Sequence, residues 1–230
     1  INDVYFFHKD SNIPLWNYVL HDLESLSLSS DGQYIIVGAS SDNGTLILFD
    51  KESSTPLWTF TNESFHHMKS VSISADGEYI AAGSAEKVLL FNKDSNEPLW
   101  NFSIPIGEAN EDDFFPTEIE EVAISANGEY IVAGSKNFNI YLFNKDSNEP
   151  LWNYTMSNEA DSVSISSDGE YIAVGSEESK VYLFNKASNQ PLWNHTVDSD
   201  AQSVRISADG NYIAVGSYDD RVYLFDQKGN

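Results

Sequence analysis

Between Ser162 and His195 the apolar residues come in four short runs, "SVSIS", "YIAVGS", "VYLF" and "PLWN", separated by polar and turn-forming residues. None of these runs reaches the ~10 residues at helical period that an amphipathic helix needs, and their punctuation is that of short strands. The first run alternates small polar with branched apolar residues, and Asp168-Gly169 turns the chain tightly into the second, which predicts a hairpin. The second and third runs are nearly continuous, as in strands covered on both faces. Pro191 opens the fourth run and cannot donate to a ladder, so that strand belongs at a sheet edge.

The same order of runs recurs along the whole chain. Trp16, Trp58, Trp100, Trp152 and Trp193 mark the fourth strand at spacings of 42, 42, 52 and 41 residues, and Tyr34, Tyr79, Tyr130, Tyr171 and Tyr212 mark the second in step with them. The decapeptide NKDSNEPLWN occurs twice, at 92–101 and 144–153, as one piece of this repeat. Four-stranded sheets covered on both faces and repeated about every 41 residues are accommodated by radial packing, which predicts an all-β fold, a β-propeller of four-stranded antiparallel blades. One domain over 1–230 is expected, with a partial blade at 1–23, repeats from about 24, 69, 120 and 161, and a partial last repeat at 202–230. The count of 21 strands favours five blades if the chain is self-contained. Otherwise the chain is part of a six- to eight-bladed ring, within a longer chain or a larger assembly.

The stretch SVSISSDGEYIAVGSEESKVYLFNK at 162–186 resembles a WD-repeat blade without its Trp-Asp dipeptide. YLFNKDSNEPLW at 141–152 is similar to the pyrroloquinoline-quinone-type repeat, in which a Trp on the outer strand docks between blades. The resemblance covers every whole or partial copy and implies a propeller; neither family fixes a function.

Composition narrows the partners. With 36 acidic against 12 basic residues the net charge is -24, a field that repels phosphate and anionic lipid, so nucleic acid is not expected and basic partners or cations are favoured. The absence of cysteine removes disulfides, thiolate metal sites and cysteine nucleophiles. No run approaches the ~18 apolar residues of a membrane span, and insertion into a membrane is not expected. The chain opens at Ile1 without a basic leader, as a mature or trimmed product would.

Loop lengths point to a working face. In a meandering blade the first-to-second and third-to-fourth turns share one face, and the other two connections share the opposite one. Insertions relative to the 162–195 unit fall at 41–44, 61–69 and 103–120, all on that second face, which also has the larger acidic excess. The longest insertion holds Glu108, Glu111, Asp112, Asp113, Phe114 and Phe115, a cation-attracting cluster beside two aromatic anchors, and His66 and His67 lie in the neighbouring one. These are the expected partner-binding residues. Ca²⁺ is the one cofactor the carboxylates suggest, and adjacent histidines on a strand point to opposite sides and chelate poorly. A solvated acidic loop whose Phe residues cover a blade edge is the plainer alternative.

Arg205 stands where the other innermost strands have Ser27, Ser72, Ala123 and Ser164, which suggests an anion site in the central channel. Glycosylation sequons occur at Asn43, Asn62, Asn101, Asn153 and Asn194. No catalytic string of the metalloprotease, nucleotide-binding, serine-hydrolase or EF-hand type is present. The expectation is therefore a non-enzymatic binding scaffold, exported or at the cell surface, that takes a protein or glycan partner on its acidic, variable face. A quinoprotein-like or lyase-type enzyme and an intracellular WD-type assembly platform are the alternatives. The former would need metal ligands and an acid–base pair that the sequence does not reveal.

Overall fold

The structure, a computed structural model, describes residues 2–40, 44–62, 67–105 and 117–230. Its 21 strands fall into six antiparallel sheets. A two-stranded sheet, β1 (Asn2–Phe7) and β2 (Pro14–Leu20), precedes four complete blades. These are β3 (Leu23–Leu28), β4 (Tyr34–Ala39), β5 (Gly44–Asp50) and β6 (Trp58–Asn62); then β7 (Met68–Ile73), β8 (Tyr79–Ser84), β9 (Lys87–Asn92) and β10 (Trp100–Ser103). The third comprises β11 (Ile119–Ile124), β12 (Tyr130–Ser135), β13 (Asn139–Asn144) and β14 (Trp152–Thr155), and the fourth β15 (Ala160–Ile165), β16 (Tyr171–Ser176), β17 (Lys180–Asn185) and β18 (Trp193–Thr196). A three-stranded sheet, β19 (Ala201–Ile206), β20 (Tyr212–Ser217) and β21 (Val222–Asp226), follows.

The innermost strands adjoin one another in series, β3 to β7 to β11 to β15 to β19, and all five line one central cavity, so the blades radiate from a common axis. The sheet-to-sheet contact is built from recurring parts. Phe49, Phe91, Phe143 and Phe184, on the third strands, are fully buried. Each receives the outer-strand Trp of the preceding sheet, as in Trp100 against Phe143 with ring centroids 5.4 Å apart. The indole N–H then donates to a backbone carbonyl of that next blade: Trp16 to Lys51 at 2.8 Å, Trp58 to Lys93 at 2.7 Å, Trp100 to Lys145 and Trp152 to Lys186 at 2.8 Å. Buried aromatic area plus a satisfied indole is what locks one blade to the next.

The hairpin turn between the first two strands follows one design. In the second complete blade Ser74 Oγ donates to Asp76 Oδ1 at 2.7 Å and accepts from the Tyr79 N–H, while Gly77 takes a φ of +77°. A side chain at Gly77 would run into the Tyr34 ring of the preceding blade, so Gly serves both the turn and the packing.

Three features differ from the sequence expectation. The outer strands β6, β10, β14 and β18 start at their Trp rather than at the Pro two residues earlier; only β2 begins at its Pro. Every innermost strand starts earlier than its alternating pattern indicates, because a β-bulge inserts one unpaired residue: Glu24, Lys69, Glu120, Asp161 and Gln202. The strands also do not close a five-bladed ring. β21 pairs with β20 alone and β1 with β2 alone, since β2 already has its ladder partner and has no free place for β21. Consequently Val222 and Leu224 are 81% and 68% exposed, where the equivalent Val181 and Leu183 are fully buried, and Leu26 and Leu28 on the opposite flank are half exposed.

Candidate functional site

A bulge re-aims the side chain of its extra residue, and bulges recur beside functional sites. Here they set a row of side chains along one mouth of the central channel, on the face where loop length varies. The row is chemically uneven: Glu24, Lys69, Glu120, Asp161 and Gln202 occupy one repeat position, and the last four line one cavity. Flanking residues come from the loops on either side of each hairpin. Those loops are tied together by the Lys136 N–H donating to Glu118 O at 2.9 Å and by Ser176 Oγ donating to Glu159 O at 2.7 Å.

On one side of this mouth is a cavity of about 370 Å³ lined by Lys69, Glu120, Lys136, Glu159, Asp161, Glu177 and Gln202. Its two lysines are spoken for. Lys136 Nζ lies 2.7 Å from Glu118 Oε2 and 3.5 Å from Glu120 Oε1, and Lys69 Nζ lies 3.8 Å from Glu120 Oε2. Burial opposes the charge of Lys136, but Glu118, Glu120 and Glu159 more than offset that and hold it above the ordinary lysine range. Glu120 Oε1 is buried without a hydrogen bond, and burial pushes that carboxyl up despite the two lysines.

Beyond the lysines the carboxylates outnumber the cations. Oxygens of Glu159, Asp161 and Glu177 lie within 4.8 Å of one another. Half-buried Asp161 is pushed up to about 7, first by burial and then by the charges of Glu177, Glu120, Glu159 and Asp200 around it. The arrangement concentrates negative potential that its own lysines do not neutralise, and it can take a cationic group or release a proton to make room for one. These three residues are also the set among the described residues that could ligate a hard cation.

The central cavity, about 270 Å³, is different in kind. Its serines stitch blade to blade: Ser25 Oγ accepts from Val71 N–H, Ser70 from Val122 and Ser162 from Val204. Glu121 replaces serine in this series and does the same work through Oε2, which accepts from Val163 N–H at 2.9 Å and from Ser162 Oγ at 2.6 Å. Arg205 Nη2 sits 2.9 Å from Glu121 Oε1, and Nη1 donates to Val204 O at 2.7 Å. The arginine expected to hold an anion is thus already paired across the channel, and an anion would have to displace a carboxylate.

The other expected residues separate. Glu108, Glu111, Asp112, Asp113, Phe114, Phe115, His66 and Asn43 lie outside the described residues. His67 is half-buried at the entry to β7, and Asn62 is half-buried at the end of β6. Asn101, Asn153 and Asn194 are exposed on β10, β14 and β18. Sequence reasoning identified the variable face and missed Asp161, Glu159 and Glu177. Overlaying the repeats at the residue before each Ser25-type position would have exposed the Glu–Lys–Glu–Asp–Gln series.

Radiating four-stranded blades with interlocking Trp residues and an acidic channel mouth define a β-propeller repeat protein. The family model described as outer membrane protein assembly factor BamB matches residues 2–164 and 136–230, and the chain belongs to that family. No curated protein matches the chain.

Proposed function

We propose that the chain is a non-catalytic propeller scaffold that captures a basic segment of a partner protein at its acidic channel mouth. The observation that supports this is the crowding of Glu159, Asp161 and Glu177 beside a cavity whose lysines are already paired. A lysine or arginine side chain entering there relieves carboxylate repulsion as well as forming new pairs, so its gain exceeds that of a surface ion pair. The family's description, an outer-membrane assembly factor, supports a role in assembling other proteins and a place in the cell envelope or at its surface.

A fluorescent lysine-rich peptide titrated against the intact chain tests this. Binding should tighten as pH rises through about 7, as Asp161 ionises, and weaken with salt. The combined change Glu159→Gln, Asp161→Asn, Glu177→Gln should lower affinity ~10-fold or more. Equal affinity for the peptide before and after that change would end the proposal. Calcium at the same three carboxylates is a second reading, supported by their mutual distances, and its titration without peptide separates the two.

A further inference from the structure

We propose that Asn101, Asn153 and Asn194 are N-glycosylation acceptors that place glycans around the rim of the propeller. All three occupy the same repeat position, directly after the docking Trp on β10, β14 and β18. Successive residues of a strand face opposite ways, so the Asn and the hydroxyl residue two positions on, Ser103, Thr155 or Thr196, share one face. That face is solvent: the Asn and the hydroxyl residue are exposed in all three strands. The intervening residue, Phe102, Tyr154 or His195, points the other way, onto the aromatic third-strand Phe of the next blade. Each strand is the outermost of its sheet, with one neighbour only.

The fold does not require this pattern. On β2 the equivalent residues are Asn17, Tyr18 and Val19, so the Asn stays and the hydroxyl is lost. On β6 they are Thr59, Phe60 and Thr61, so the hydroxyl stays and the Asn is lost. Both strands form and dock their Trp as the others do. Either half of the sequon is therefore dispensable to the blade. Yet in the three strands that carry both halves, the intervening residue changes from Phe to Tyr to His and Ser exchanges with Thr, while the acceptor sequence survives.

The modification transfers an oligosaccharide from a polyprenyl-phosphate carrier. A bond forms between the Asn carboxamide Nδ2 and C1 of the first sugar, the bond from C1 to the carrier phosphate oxygen breaks, the amide gives up one proton and the carrier phosphate leaves as the anion. Glycans placed there project outward from the rim and leave both flat faces, including the acidic mouth, uncovered.

Peptide mapping by mass spectrometry of the full chain, produced in its source organism, tests the assignment. Peptides containing Asn101, Asn153 and Asn194 should carry glycan mass, and the peptide containing half-buried Asn62 should not. Thr155→Val should remove the glycan from Asn153 alone, and Val19→Thr should add one at Asn17. Bare peptides at all three positions overturn the proposal, as does a Val19→Thr chain that gains nothing while the other sites are modified.

Discussion

Two aspartates on opposite faces of one blade show how differently the repeat is used. Asp168, in the hairpin turn between β15 and β16, is held below the usual carboxylate range by the Ser166 hydroxyl and the Glu170 N–H. Asp161, in the bulge at the start of β15, is pushed up to about 7 by burial and by four surrounding carboxylates. The first environment is copied around the face with Asp31 and Asp209, each bonded to its own serine, and Asn127 even substitutes without loss of the bond from Ser125. The second occurs where β11 and β15 meet, with Glu177 and Asp200 closing around Asp161. The constant face repeats one device that satisfies its carboxylates, whereas the variable face, which pairs Glu178 with Lys180 in one loop, crowds carboxylates around Asp161 beyond what Lys69 and Lys136 offset, as a binding surface can.

If that division is right, the largest losses come from the parts that repeat. Trp100 packs against buried Phe143 and donates to Lys145 O, so Trp100→Ala should cost about 3–4 kcal/mol, read as a lowered midpoint in urea unfolding. Trp100→Phe keeps most of the apolar area and loses the hydrogen bond, and should cost ~1 kcal/mol. A Trp100→Ala chain as stable as the parent would mean that the blades are not held together by these docks.

A matched pair of substitutions probes the two aspartates directly. Because the folded carboxyl of Asp161 titrates near 7 against about 3.8 for the free group, its protonation stabilises the fold fully below 3.8, and that contribution is lost as pH rises through 7. Asp161→Asn should therefore raise stability at pH 8 by ~1 kcal/mol, allowing for solvent screening of a half-exposed group, and should make no difference near pH 4. Asp168 has the opposite sign: its contribution is present above 3.8 and lost on acidification. Asp168→Asn keeps the bond from serine, as Asn127 does in the neighbouring blade, but loses the charge, so it should lower stability slightly at pH 8 and converge on the parent well below pH 3.8. Equal pH profiles for the two variants would erase the distinction between the faces.

The repeating half of the molecule was legible in the sequence because its determinants are local. Asp168-Gly169, the runs around Tyr171 and Val181, and Trp193 each specify an element within a few residues, and copying made the signal plain. The bulges were not, since a bulge at Asp161 breaks the alternation it would be recognised by and no turn residue marks it. The acidic mouth was hidden for a related reason. Asp161 is raised by Glu120, 41 residues before it, and by Asp200, 39 residues after it, which come together only once three blades are stacked. Arg205 shows the converse. Its oddity was visible, but its partner Glu121 is 84 residues away and occupies a position where the other blades have serine.

The smallest effects should still separate the faces, through additivity. Asn96, Asn148 and Asn189 each donate from a third-to-fourth-strand turn to a backbone carbonyl on the preceding blade's outer strand: Thr59 O at 3.1 Å, Asn101 O at 3.3 Å and Asn153 O at 3.2 Å. All three bonds are exposed, so each Asn→Ala change should cost only ~0.5 kcal/mol. They sit in different blades and share no partner, so the triple variant should show the sum of the three. On the variable face Glu159, Asp161 and Glu177 feel one another's charge, and neutralising one relieves the other two. Their triple variant should gain less at pH 8 than the sum of the single gains. Unfolding midpoints for both sets of singles and triples decide it: additive behaviour on both faces would show that the carboxylates at the mouth do not act as one unit.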